Sequence, residues 1–97
     1  VMLGPLLPGL GDTPEALRRL FALAAEAGAD RICTDALNPR PRVWPSVSQL
    51  LRRSYPDLFG RYQRILFDRE ERRRYQAELA RRVHRAATEA GVADRLV

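Results

Sequence analysis

Three groups of residues in this sequence have the types and spacing for chemistry. Asp35, Asn38 and Arg40 follow one another closely. Aspartate accepts hydrogen bonds, asparagine both accepts and donates, and arginine offers a planar fork to a carboxylate or phosphate. Asp35 and Asn38 would equally serve to hold the proline-braced turn Asn38-Pro39-Arg40-Pro41 by hydrogen bonds. Upstream, Pro8-Gly9-Leu10-Gly11 runs into a helix start at Asp12. Backbone N–H groups converge at such a start and the helix dipole favours an anion, although an ordinary strand-to-helix turn looks the same. The full dinucleotide-binding glycine pattern is absent. Near the carboxyl end, Arg74, Arg81 and Arg85 share a helical face and could track a phosphate backbone. Glu70–Arg74, Glu78–Arg82 and Arg85–Glu89 are each four apart, so a salt-bridged, solvated face competes with that use.

Single residues add little. His84, the only histidine, falls on the polar side of its helix with no second ligand or nucleophile in spacing. Cys33 alternates within an apolar strand and reads as a small core side chain. Trp44, beside Pro45, reads as packing of a loop against helices rather than as a base-stacking platform.

The elements that must position these residues can be traced in order. Val1 to Leu7 is almost wholly apolar, as suits a strand buried on both faces of a parallel sheet. Pro5 argues for a strand end or edge there. Asp12 and Glu15 have capping-box spacing, with Pro14 in the first turn. Leu17, Leu20, Phe21, Ala24 and Ala25 then mark one helical face, and Gly28 stops it. Arg31 to Leu37 reads as a second strand, which completes a βαβ unit over residues 1–42. Residues 43–97 form a tail of three helices. The first starts at Pro45 and Ser46 with Val47, Leu50 and Leu51 inward. The second starts at Pro56 with Leu58, Tyr62, Ile65 and Leu66 inward. The longest opens with the capping-box pair Asp68 and Glu71, buries Tyr75, Leu79, Val83, Ala86 and Ala90, and ends at Gly91. The expected fold class is therefore α/β, one βαβ unit followed by a mostly α tail.

Composition bounds the function. The chain has 97 residues, a net charge of +5, and all 17 of its Lys+Arg residues are arginine. Its hydrophobic fraction, 45%, is enough to bury a core. No apolar run approaches the ~18 residues of a membrane span. No secretory leader is evident, so a cytoplasmic location is expected. One cysteine cannot form an internal disulfide, a structural zinc site or an iron–sulfur cluster. A chain opening inside a strand-like run suggests a fragment.

Several stretches together resemble a known family. They are Leu7-Pro8-Gly9-Leu10-Gly11-Asp12, Glu26-Ala27-Gly28-Ala29-Asp30, and Asp35-Ala36-Leu37-Asn38-Pro39-Arg40-Pro41 with Val43-Trp44. Tyr55-Pro56-Asp57-Leu58 with Tyr62 and the closing Ala90-Gly91-Val92-Ala93-Asp94-Arg95 join them. In order and spacing the whole chain resembles the C-terminal portion of radical S-adenosylmethionine proteins of the DNA repair photolyase, spore photoproduct lyase-like group. The resemblance implies a partial (β/α)6, TIM-type barrel, of which this chain supplies the last two strands. It also implies S-adenosylmethionine and a [4Fe-4S] cluster in the full-length protein, the cluster held by a C-x3-C-x2-C loop. A 5′-deoxyadenosyl radical would then abstract hydrogen from substrate. The family's fifth-strand motif, G-x-I-x-G-x-x-E, falls on Pro5, Leu7, Gly9 and Asp12; Pro5 for Gly and Asp12 for Glu are departures. Leu7, Gly9 and Asp12 are the implied cofactor-side residues, with Asn38 and Arg40 at the end of the sixth strand. Cys33 lies too late to stand in for the cluster loop, so this chain alone is expected to bind neither cluster nor cofactor and to be inactive.

Two other functions remain open: a basic helical module that binds nucleic acid through Arg74, Arg81 and Arg85, and a helical interaction domain without a ligand. The expected partners are the N-terminal part of the barrel and, in the isolated chain, a second copy paired through the sheet.

Overall fold

A computed structural model describes residues 1–97. Its elements are β1 (Met2–Leu6), α1 (Pro14–Glu26), β2 (Cys33–Ala36), α2 (Trp44–Ser54), α3 (Pro56–Phe67), α4 (Arg69–Glu89) and a 3-10 turn, η1 (Ala93–Arg95). The fold is mixed α/β: two parallel strands and four α-helices. β1 and β2 pair in the register Met2↔Cys33, Leu3↔Thr34 and Leu6↔Ala36, with an irregularity between Leu3 and Leu6. Gly4 and Pro5 occupy that irregularity. Gly4 has φ +144°, and a Cβ there would stand 2.8 Å from the Asp35 carbonyl oxygen. Only glycine lets the strands approach so closely.

The first strand departs from the expected burial. Only Leu6 is buried and Leu3 half-buried, whereas Val1 and Met2 are about 60% exposed, at 60% and 62%. A strand is buried on both faces only when layers cover both, and here the core packs against Leu3 and Leu6 alone. β2 is shorter than the expected Arg31–Leu37. Ile32 instead forms a separate parallel bridge with Leu96, its N–H donating to the Arg95 carbonyl at 2.8 Å. The C-terminal segment thus covers part of the outer edge of β2.

The start of α1 also differs from expectation. Thr13, not Asp12, is the N-cap, its hydroxyl accepting from the Ala16 N–H at 3.2 Å. Asp12 turns its carboxylate inward to other donors, so the next residue takes over the cap. At α4, Asp68 caps as expected, accepting from the N–H groups of Glu70 and Glu71 at 3.0 and 3.1 Å. The reciprocal half of the box does not form, because the Asp68 N–H donates to the Arg64 carbonyl at the end of α3. α1 and α4 end just before Gly28 and Gly91, as expected.

One core joins the βαβ unit to the tail. Leu6, Leu17, Phe21, Ala24 and Ile32 pack with Ile65 and with Tyr75, Leu79, Val83, Ala86 and Ala87 of α4. Ala87 replaces the expected Ala90, which is only half-buried. A smaller cluster unites Leu37, Leu51, Tyr62 and Leu66, with Leu7, Val47 and Leu58 against it. Leu50, expected inward on α2, is 42% exposed; its neighbour Leu51 fills the core. Trp44 opens α2 rather than lying in a loop, and it packs on helical aromatics as expected. Its ring stacks on Phe59 and meets the Phe67 edge, with centroids 5.9 and 5.6 Å away.

Candidate functional site

The carboxyl ends of β1 and β2 lie side by side, as parallel pairing demands. Leu7 is half-buried against the smaller core cluster, and its carbonyl accepts from the N–H groups of Leu10 and Gly11 at 3.0 and 2.8 Å. Gly9 is exposed, with the Leu58 side chain beside its backbone. At the end of β2, Asp35 and Arg40 are exposed and Asn38 is half-buried. The backbone beyond is closed by local bonds, from Arg40 N–H to the Asn38 carbonyl and from Val43 and Trp44 N–H to the Arg40 carbonyl. Helices α2 and α3 pack over this edge of the strand pair through Leu51, Tyr62 and Leu66.

Asp12 is the centre of a buried polar network. It is the one charged residue in the core. One carboxylate oxygen accepts from the Gly9 N–H at 2.7 Å; the other accepts from the Tyr75 hydroxyl at 2.7 Å and stands 3.6 Å from Arg82. Tyr62 donates its hydroxyl to the Pro8 carbonyl at 2.6 Å. Burial pushes the Tyr75 phenol well above its ordinary range, and its bond to Asp12 adds to the rise. Burial raises Tyr62 as well, with the Asp12 charge second. Both phenols therefore stay protonated donors. The network clamps the Pro8–Asp12 turn to α3 and α4, and the Asp12 carboxylate is spent inside the chain.

The arginines sort themselves differently from their sequence spacing. Arg74 pairs with Glu70 at 3.6 Å and lines a separate groove with Arg61, Arg64, Glu71 and Glu78. Arg82 pairs with Glu78 at 2.6 Å as well as with Asp12. The expected Arg85–Glu89 pair does not form: Glu89 meets Arg18 of α1 at 3.3 Å instead. Arg81 and Arg85 consequently face a cleft between α1 and α4, of about 400 Å³, without a carboxylate partner. Arg74 is thus separated from Arg81 and Arg85, while Arg18 and Arg82 join them. Arg18 lies too far away in sequence for any helical spacing to have signalled it. His84 is exposed on a neighbouring part of α4, and Cys33 is half-buried in β2.

No group of three or more His, Cys, Asp or Glu side chains could hold a metal ion. No helix is long and apolar enough to cross a membrane. A cluster of the kind the resemblance implies needs thiolate ligands. The lone Cys33 and the occupied Asp12 do not fit as holders of that cluster or of its nucleotide cofactor. No protein-family model, curated protein or solved structure matches the chain.

Proposed function

We propose that this chain is the carboxyl-terminal part of a cytoplasmic radical S-adenosylmethionine protein of the DNA repair photolyase-like group, contributing the last two strands of a partial barrel and a helical extension. The observation that carries this is the parallel β1–α1–β2 unit. It brings the Leu7–Asp12 turn and the Asn38–Arg40 segment to neighbouring strand ends, the edge where sites in parallel α/β folds gather.

Within such a barrel this chain's residues would shape and orient rather than react. Leu7, half-buried against the smaller core, and the exposed Gly9, whose N–H is held by Asp12, would shape the wall beside a cofactor edge. Asn38 and Arg40 would offer polar groups to cofactor or substrate. Asp12 has a different part: it fixes the turn that carries Gly9. The cluster and the bound nucleotide, which supply the radical chemistry, would be held by cysteines elsewhere in the protein. β1 has a single hydrogen-bonded neighbour, which leaves an edge for a preceding barrel strand.

The coding sequence upstream of Val1 tests the proposal. A C-x3-C-x2-C loop within about 100–200 residues, roughly one domain's length, is the expected result. A long upstream reading frame without it would defeat the assignment.

A further inference from the structure

We propose that the cleft between α1 and α4 is a binding site for a phosphoryl anion, gripped by Arg81 and Arg85. This stands independently of the radical-enzyme assignment, because it uses neither strand end nor cofactor. Four guanidiniums, those of Arg18, Arg81, Arg82 and Arg85, line the cleft with only two carboxylates, Glu78 and Glu89. Both carboxylates are already engaged, Glu89 by Arg18 and Glu78 by Arg82. Arg81 and Arg85 are left without an ion-pair partner one helical turn apart, about 6 Å along the axis of α4.

An arginine pair on so charged a helix ordinarily finds a carboxylate four residues away. Here Arg85 is denied Glu89 because Arg18, from another element, takes it. The core that packs α1 against α4 sets Arg18 and Glu89 on facing helices. Arg82 is held at the floor of the cleft by Asp12, which in turn accepts from the Tyr75 hydroxyl. Pro14, at the first turn of α1, also lines the cleft and brings the positive end of that helix to it.

The chemistry favours a phosphoryl group over a carboxylate. Two guanidiniums a turn apart present more donors, and more charge, than one planar carboxylate can accept. A tetrahedral phosphate has three or four terminal oxygens and can accept forks from both sides. A volume of about 400 Å³ falls at the low end for small-molecule sites. A phosphate monoester and a single phosphodiester of a nucleic-acid backbone share this chemistry.

Titration of the full 97-residue chain tests the site and separates the two sources. Phenyl phosphate serves as the monoester, a thymidine tetranucleotide without terminal phosphate as the phosphodiester, and acetate as the carboxylate control. The readout is the set of arginine side-chain N–H resonances. Saturable shifts of Arg81 and Arg85 with either phosphorus ligand, and none with acetate, are expected. The ligand that saturates first identifies the source. R81Q/R85Q should weaken binding about tenfold or more, the scale of one lost charge-assisted contact. Its melting temperature should stay that of the parent, since both side chains are exposed and unpaired. R53Q/R73Q removes the same charge from exposed positions away from the cleft and should bind like the parent. Absence of saturable shifts with both phosphorus ligands would overturn the proposal. So would acetate binding as well as phosphate, or equal loss in both double variants.

Discussion

Asp12 shows how a polar residue can look like a site and act as a clamp. A buried carboxylate is costly unless its oxygens are satisfied, and Gly9, Tyr75 and Arg82 satisfy them. Removing its carboxylate leaves Tyr75 without an acceptor and the partly buried Arg82 guanidinium with Glu78 and a long bond to the residue 12 carbonyl. Asp12→Ala should therefore cost about 3 kcal/mol of folding stability, and Tyr75→Phe about 1–2 kcal/mol. Urea unfolding of both variants and their double mutant checks this. A loss below about 1 kcal/mol for Asp12→Ala would show that the clamp carries little. The two tyrosines also set an alkaline limit. Unfolded tyrosine ionises near pH 10, whereas burial raises Tyr62 and Tyr75 above that. Their contribution is complete below about pH 10 and is lost as the pH climbs toward the folded values. Each should steepen the fall in stability above pH 10 by about 1.4 kcal/mol per pH unit. Stability measured against pH should lose that slope in the Tyr62→Phe/Tyr75→Phe variant. An unchanged slope would contradict the raised phenols.

At the scale of elements, packing decides what periodicity proposes. Leu50 and Leu51 both fit an inward face of α2, but only Leu51 reaches the smaller core. Leu51→Ala should cost 2–5 kcal/mol, as full burial implies, and Leu50→Ala under about 1 kcal/mol. Thermal unfolding of the pair checks this, and equal losses would contradict the observed packing. The four helices were legible because caps, prolines and a 3.6-residue rhythm are local signals. The strands were legible as a parallel pair, but their burial was not. Whether Val1 and Met2 are covered depends on how many layers surround the sheet, which no local pattern records. The Asp12 clamp was hidden for a related reason: Asp12 and Glu15 match a capping box, while the donors that win, Tyr75 and Arg82, lie on a distant helix. The cleft arginines were legible only in part. Arg81 and Arg85 follow from helical spacing, but the exchange of Glu89 to Arg18 is tertiary.

At the scale of the whole molecule, one core ties the βαβ unit to the helical extension, yet the sheet keeps an open flank. β2 is partly covered by the Ile32–Leu96 bridge, whereas β1 has only β2 beside it. Exposed N–H and C=O groups next to apolar side chains invite another strand. The isolated chain should therefore self-associate through β1, with a melting temperature that rises with concentration. Light scattering over a hundredfold dilution checks this; a monomer of about 11 kDa at every concentration, melting at one temperature, would contradict it. Under the proposed function the same edge would meet a preceding barrel strand. The most direct test of that central claim is to express the longer gene product, reduce it anaerobically with S-adenosylmethionine, and quantify 5′-deoxyadenosine by mass spectrometry. Formation of 5′-deoxyadenosine by the longer protein, and none by residues 1–97 alone, is the expected result. A longer protein that carries no iron–sulfur cluster and leaves S-adenosylmethionine intact would contradict the proposed function.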